Sequence, residues 1–242
     1  MTVARTATSI YIASPEGDTG KSTVALGILH RLTAMVPRAG VFRPITRRED
    51  RDYILELLLA HSNAGLSYEE CVGVSYQQLH EDPEGAIADI VDRYHAMAAR
   101  CDAVVIVGSD YTDVATPTEL SVNARIAVNL GAPVVLSVRA RDRTPVEVAQ
   151  VIELCLAELA AQHAHTAAVV ANRCEPAQMS AVAAACEDLG PHVYVLPEEP
   201  LLVAPTVGDL CGAVAGTLVH GDESLLAREV MGVLVAGMTA EH

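Results

Sequence analysis

The densest set of chemically competent residues is Ser14-Pro15-Glu16-Gly17-Asp18-Thr19-Gly20-Lys21-Ser22-Thr23. Glycines at 17 and 20 let a backbone turn point its N–H groups inward, as a phosphate cradle requires. Asp18, Thr19 and Thr23 are candidate contacts of that cradle. Lys21 supplies a cation for β- or γ-phosphate oxygens, and the Ser22 hydroxyl can ligate Mg²⁺. The spacing departs from G-x-x-x-x-G-K-[ST], because Pro15 stands where the first glycine belongs and the glycine is at 17. A glycine-rich turn with a solvated Lys21 accounts for the same residues.

Further candidates lie at the ends of apolar runs. Arg43 and Pro44 precede Thr46, Arg47, Arg48 and Arg51. Carboxyl ends of parallel strands line ligand crevices, so this cluster reads as a site for phosphate or carboxylate oxygens, or as a solvated arginine-rich loop. Asp52 opens a helical stretch. It is a metal ligand, or it serves only the helix dipole. Asn172 ends another run and either contacts a base or forms a turn. A phosphate-loop enzyme places an acid near the end of its next central strand to hold Mg²⁺. Here that run, Val104-Val105-Ile106-Val107, ends on valine, with Asp110 and Asp113 on the loop beyond. His163 and His165 lack a third ligand, and no nucleophile elbow is present. The six cysteines include no C-x-x-C pair and read as reduced, buried thiols.

The elements that must position these residues alternate between two kinds. Strands are expected over residues 10–14, 41–45, 103–107, 134–138, 166–171 and 192–196. Helices are expected over 20–36, 52–61, 83–100, 119–130, 145–162, 177–189 and 206–218. Pro83 suits a first helical turn, and Thr144 an N-cap. The alternation predicts an α/β fold, a mostly parallel sheet with helices on both faces. Residues 1–220 read as one phosphate-loop domain. Residues 221–242 read as a linker and the start of a truncated following domain, with a strand-like run at 230–238; a short closing strand on the main sheet is the alternative.

Composition bounds the function. The 242 residues are 51% hydrophobic and 19% charged, enough for a large core. The net charge of −15 argues against nucleic-acid binding, which needs clustered Lys and Arg. Residues 1–51 nevertheless carry eight basic and four acidic side chains, net +4, consistent with a local anion site or with chance. No apolar run is long enough to span a membrane, and a cytoplasmic location is expected.

Ile10-Tyr11-Ile12-Ala13 leading into residues 17–23, followed by Val41-Phe42-Arg43-Pro44-Ile45, resembles dethiobiotin synthetase. The segment at 196–207, Leu-Pro-Glu-Glu-Pro-Leu-Leu-Val-Ala-Pro-Thr-Val, more closely resembles the dethiobiotin-synthetase-like N-terminal domain of long-form bacterial phosphate acetyltransferases. The resemblance spans about residues 9–220. It implies a phosphate-loop fold and a regulatory, assembly-supporting domain without catalytic residues of its own. The catalytic domain, interconverting acetyl-CoA plus phosphate with acetyl phosphate plus CoA, would lie outside this chain. Implied partners are copies of the chain within a homo-oligomeric acyltransferase, together with a nucleotide or small-molecule effector. Carried over from dethiobiotin synthetase, Lys21 and Ser22 are the phosphate and metal residues. Asp52 is a second metal ligand, Arg43 replaces a substrate-binding lysine, and Val107 stands where a third ligand, a Glu, is expected. ATP or ADP with Mg²⁺ is the corresponding cofactor, and the alternative function is an ATP-dependent ligase of the dethiobiotin type or another phosphate-loop nucleotide-binding protein.

Overall fold

A computed structural model describes residues 7–47, 51–109, 119–202 and 204–232. The chain divides into two compact units, Met1–Pro197 and Glu198–His242.

The first unit is built on seven strands: β1 (Thr8–Ala13), β2 (Ala39–Thr46), β3 (Val72–Ser75), β4 (Ala103–Val107), β5 (Val134–Arg139), β6 (Thr166–Cys174) and β7 (Val193–Pro197). All pair in parallel, in the order β3-β2-β4-β1-β5-β6-β7. The intervening helices are α1 (Lys21–Thr33), α2 (Tyr53–Leu59), α3 (Tyr76–Glu81), α4 (Pro83–Ala98), α5 (Glu119–Asn129), α6 (Pro145–Ala161) and α7 (Met179–Ala185). From β1 the chain steps past β4 to reach β2, whereas from β4 it steps past β1 to reach β5. Right-handed crossovers in opposite directions place α1 and α5 on opposite faces. In keeping with this, α1 packs on α2, while α4, α5, α6 and α7 form a row in which each touches the next.

Both central strands explain their sequence. All five residues of β4 are buried, as expected for a strand covered on both faces. In β2 all eight positions are buried, including the charged Arg43. The helices start where capping chemistry dictates. Thr144 and Glu147 form a reciprocal capping box at α6, and Pro145 occupies its first turn. At α4 the Asp82 carboxylate accepts from the Gly85 N–H.

Two elements were not expected. β3 has four residues and α3 six, too short for either periodicity to register. β3 lies against β2 through Gly73, where a Cβ would meet the Pro44 carbonyl oxygen at 2.2 Å, so only glycine permits the pairing. β6 also runs past the expected residue 171 to Cys174. Its register shifts between Ala171 and Cys174, and Arg173 takes φ 59°.

The second unit holds α8 (Val207–Ala213), capped by a Thr206–Asp209 box, and a 3₁₀ stretch over Glu223–Ala227. Thr206 and Glu229 form an isolated antiparallel bridge. Of the strand expected at 230–238, residues 230–232 are not in a strand, and 233–238 lie outside the described residues. Cys71, Cys101, Cys155, Cys174 and Cys186 are buried, Cys211 is half-buried, and all six are free thiols.

Candidate functional site

β1 lies where the strand order reverses, and its carboxyl end opens into the loop at residues 14–20. In open α/β sheets that position is where ligands bind. The loop's left-handed residues are Asp18 (φ 57°) and Gly20 (φ 72°). Gly17, expected to make the turn, has nothing within 4 Å of a notional Cβ. Gly20 has two reasons to be glycine: its φ, and a notional Cβ that would meet Asn172 Nδ2 at 2.3 Å. Gly20 also caps α1 without any side-chain hydrogen bond, so no side chain competes for the helix's leading N–H groups.

The loop is braced from the ends of β5 and β6. Asn172 Nδ2 donates to the Thr19 carbonyl at 2.9 Å, and Ser137 Oγ donates to the same oxygen at 3.3 Å. Arg173 donates to the Asp18 carbonyl at 2.8 Å. Arg143 holds Glu16 in a two-point grip, at 2.5 and 2.9 Å. Asn172 thus meets the loop backbone through its amide. The Ser14 hydroxyl is buried with no hydrogen-bond partner among the described residues.

Lys21 is not solvated. It is 2% exposed, and its ammonium donates to the Ser109 carbonyl at 2.8 Å. Ser109 is itself fixed by Asn123 on α5. Its N–H donates to Asn123 Oδ1 at 3.1 Å, and Asn123 Nδ2 donates to the Ser109 and Glu119 carbonyls. The Tyr11 hydroxyl donates to Asn123 Oδ1 at 2.7 Å. Tyr11 is fully buried, and burial pushes its hydroxyl far above the ordinary tyrosine range. Tyr11, Ser109 and Asn123 escaped sequence reading. Tyr11 hides in an apolar run, and Asn123 registers only as a polar residue on the buried face of an amphipathic helix.

Arg43 is separated from the arginines it adjoins in sequence. Arg47 and Arg51 are exposed, with Arg51 facing Glu56 and Glu69 and lying over the Tyr68 ring, and Arg48 lies outside the described residues. Arg43 is 2% exposed. Its Nε donates to Asp52 Oδ2 at 2.9 Å, and its Nη1 donates to the Val107 carbonyl at 3.1 Å and to the Gly108 carbonyl. The other Asp52 oxygen accepts the Leu55 N–H at 3.0 Å and caps α2. Two buried cations, Arg43 and Lys21, therefore rest on three consecutive carbonyls at the end of β4.

Among the described residues, the ligands expected for Mg²⁺ are otherwise engaged or absent. Both oxygens of Asp52 are engaged, and Val107 is a buried aliphatic. Half-buried Ser22 offers one neutral hydroxyl, while Thr23 is exposed. Among the described residues no group of three or more His, Cys, Asp or Glu is placed to hold a metal, His163 and His165 included; Asp110 and Asp113 lie outside them.

Residues 8–206 match the family described as AAA domain (AAA_26). The chain belongs to this AAA-domain family. Two curated relatives are phosphate acetyltransferases. That of Nitratidesulfovibrio vulgaris is 26% identical over 88% of this chain and 32% of its own length. That of a Synechocystis species is 26% identical over 97% of this chain and 35% of its own. The chain spans about a third of the length of these relatives. Among solved structures, the septum site-determining protein MinD of Pyrococcus horikoshii, complexed with Mg-ADP, is 16% identical at a TM-score of 0.49, covering 81% of this chain and 84% of that one. The AAA-domain assignment agrees with the parallel sheet and with the loop at the end of β1. No helix among the described residues is long and apolar enough to cross a membrane.

Proposed function

We propose that this chain is the regulatory and assembly domain of a phosphate acetyltransferase, and that its phosphate loop receives a nucleotide or another phosphate-bearing effector. The observation that carries the reading is the lopsided coverage. The phosphate acetyltransferases match nearly all of this chain, and two-thirds of their own length lies elsewhere. A domain that contributes a braced loop, a buried Lys21 and a side-chain-free α1 N-terminus is built to bind an anion. The fixed Arg43–Asp52 pair at the end of β4 argues against ATP-driven chemistry in the same place.

The reaction of the whole protein would be acetyl-CoA plus phosphate to acetyl phosphate plus CoA, carried out beyond the region described above. Self-association of this domain would help hold the oligomer together. The free, mostly buried thiols fit a reducing, cytoplasmic setting. Retention of Gly20-Lys21-Ser22-Thr23 favours a second reading, an ATP-dependent ligase of the dethiobiotin type.

One assay separates the two. The isolated chain, given ATP, Mg²⁺, bicarbonate and diaminopelargonate, is expected to release no ADP above background. Given acetyl-CoA and phosphate, it is expected to form no acetyl phosphate, whereas a protein that joins this region to an acetyltransferase domain forms it, with a rate that responds to ATP. Diaminopelargonate-dependent ADP release would establish the ligase reading instead.

A further inference from the structure

We infer that the chain carries a second anion site, apart from the phosphate loop: the cavity beside the edge strand β3, which takes a small polyanion bearing carboxylate or phosphate groups. This site is independent of what the phosphate loop binds. The cavity has a volume of about 670 Å³, within the ~300–1,000 Å³ of small-molecule sites. All four residues of β3 line it, so it runs along the open edge of the sheet. β2 and β4 stand between β3 and β1, which sets the cavity about 14 Å across the sheet from the strand that carries the phosphate loop. No residue of the segment 14–23 lines it.

Three observations converge. The first is which cations meet there. Arg47 and Arg51, from the arginine-rich stretch after β2, are joined by Arg93 of α4, which is distant in the chain. All three are exposed, and Arg93 has no hydrogen bond or ion pair among the described residues. The second is that one of them is held in place. The Arg51 guanidinium lies 4.4 Å over the Tyr68 ring, and the Tyr68 hydroxyl accepts the Asp52 N–H at 2.7 Å. Arg51 also faces Glu56 at 3.0 Å and Glu69 at 3.6 Å, but neither carboxylate lines the cavity. Both pairs join exposed side chains, and such pairs are weak enough to exchange for a ligand's oxygens. The third is the excess of donors over acceptors. The Gln78 side-chain oxygen is spent on the N–H and hydroxyl of Ser75, so this residue has only its NH₂ to offer a ligand. The one carboxylate in the lining, Glu81, accepts from Gln77 at 2.6 Å. Three guanidiniums around a space far larger than one phosphate suit a ligand with more than one anionic group. The Tyr68 ring, Val72 and Val74 offer an apolar wall for its carbon skeleton.

Isothermal titration of the 242-residue chain with citrate, and separately with pyrophosphate, tests this. Saturable binding of one anion per chain is expected from at least one of the two. Citrate alone identifies a carboxylate ligand, pyrophosphate alone a phosphate ligand, and both a site for either. Arg93→Gln and Arg47→Gln, each checked for native circular dichroism, are both expected to weaken that binding by about fivefold or more, the loss of one charge-assisted contact. Binding of neither anion overturns the inference. So does binding that both folded variants retain at full strength, because the anion then sits elsewhere, as in the phosphate loop. Both arginines are exposed, so neither substitution disturbs the core, and if one variant misfolds the other decides.

Discussion

Gly20 and Asn172 are 152 positions apart in the chain and share one small volume. The Asn172 amide occupies the space a Cβ on residue 20 would need, while holding the Thr19 carbonyl at 2.9 Å. Gly20→Ala therefore meets two penalties, a left-handed φ and a clash, and is expected to destabilise the chain by about 2 kcal/mol in urea denaturation. Asn172→Ala alone is expected to cost about 1 kcal/mol through the lost hydrogen bond. The double variant is expected to cost less than the two combined, because removing the amide frees the space for the new methyl. Strict additivity in this cycle would mean that the contact does not constrain residue 20.

At the scale of elements, the site depends on helix α5 as much as on its own loop. Tyr11 on β1 and Ser109 beyond β4 meet at one residue of α5, Asn123, and Ser109 then receives Lys21. Gly108 belongs to the same junction, since a Cβ there would meet Asn123 Oδ1 at 2.2 Å. Tyr11→Phe keeps the ring and removes the hydroxyl that donates to Asn123. It is expected to cost about 1–2 kcal/mol of stability, and to weaken ATP binding severalfold because the Tyr11 hydroxyl orients Asn123, which fixes Ser109 under Lys21. Thermal unfolding and titration of the same variant check both outcomes. A variant with reduced stability and unchanged affinity would confine the junction to a purely structural role.

At the scale of the molecule, five buried thiols in one chain form a built-in report on its packing. Burial pushes Cys71 up to about 12 and Cys155 up to about 11, so both stay protonated at neutral pH and react poorly. In native buffer at pH 8, Ellman's reagent is expected to modify about one thiol per chain quickly, the half-buried Cys211. All six are expected to react after denaturation in guanidinium. Rapid native labelling of Cys71 or Cys155 would contradict the packing around β3 and α6.

The α/β alternation was legible in the sequence because buried parallel strands are short continuous apolar runs and their helices keep a three-to-four-residue period. β4 at 103–107 and the Thr144 cap of α6 were read correctly for that reason. The loop at residues 14–20 and the valine that ends β4 were visible in the sequence because each is contiguous. β3 and α3 were not, since four and six residues are too few for a period to register. The partnerships were not legible either. That Arg43 leaves its neighbouring arginines for Asp52 and the end of β4, that Lys21 rests on Ser109, and that Asn172 braces Thr19 all depend on strands distant in the chain becoming neighbours in the sheet. Local pattern reports which face of an element is apolar. Which charge meets which carbonyl inside a low-dielectric core is set by strand order and register, and those exist only once the sheet has formed.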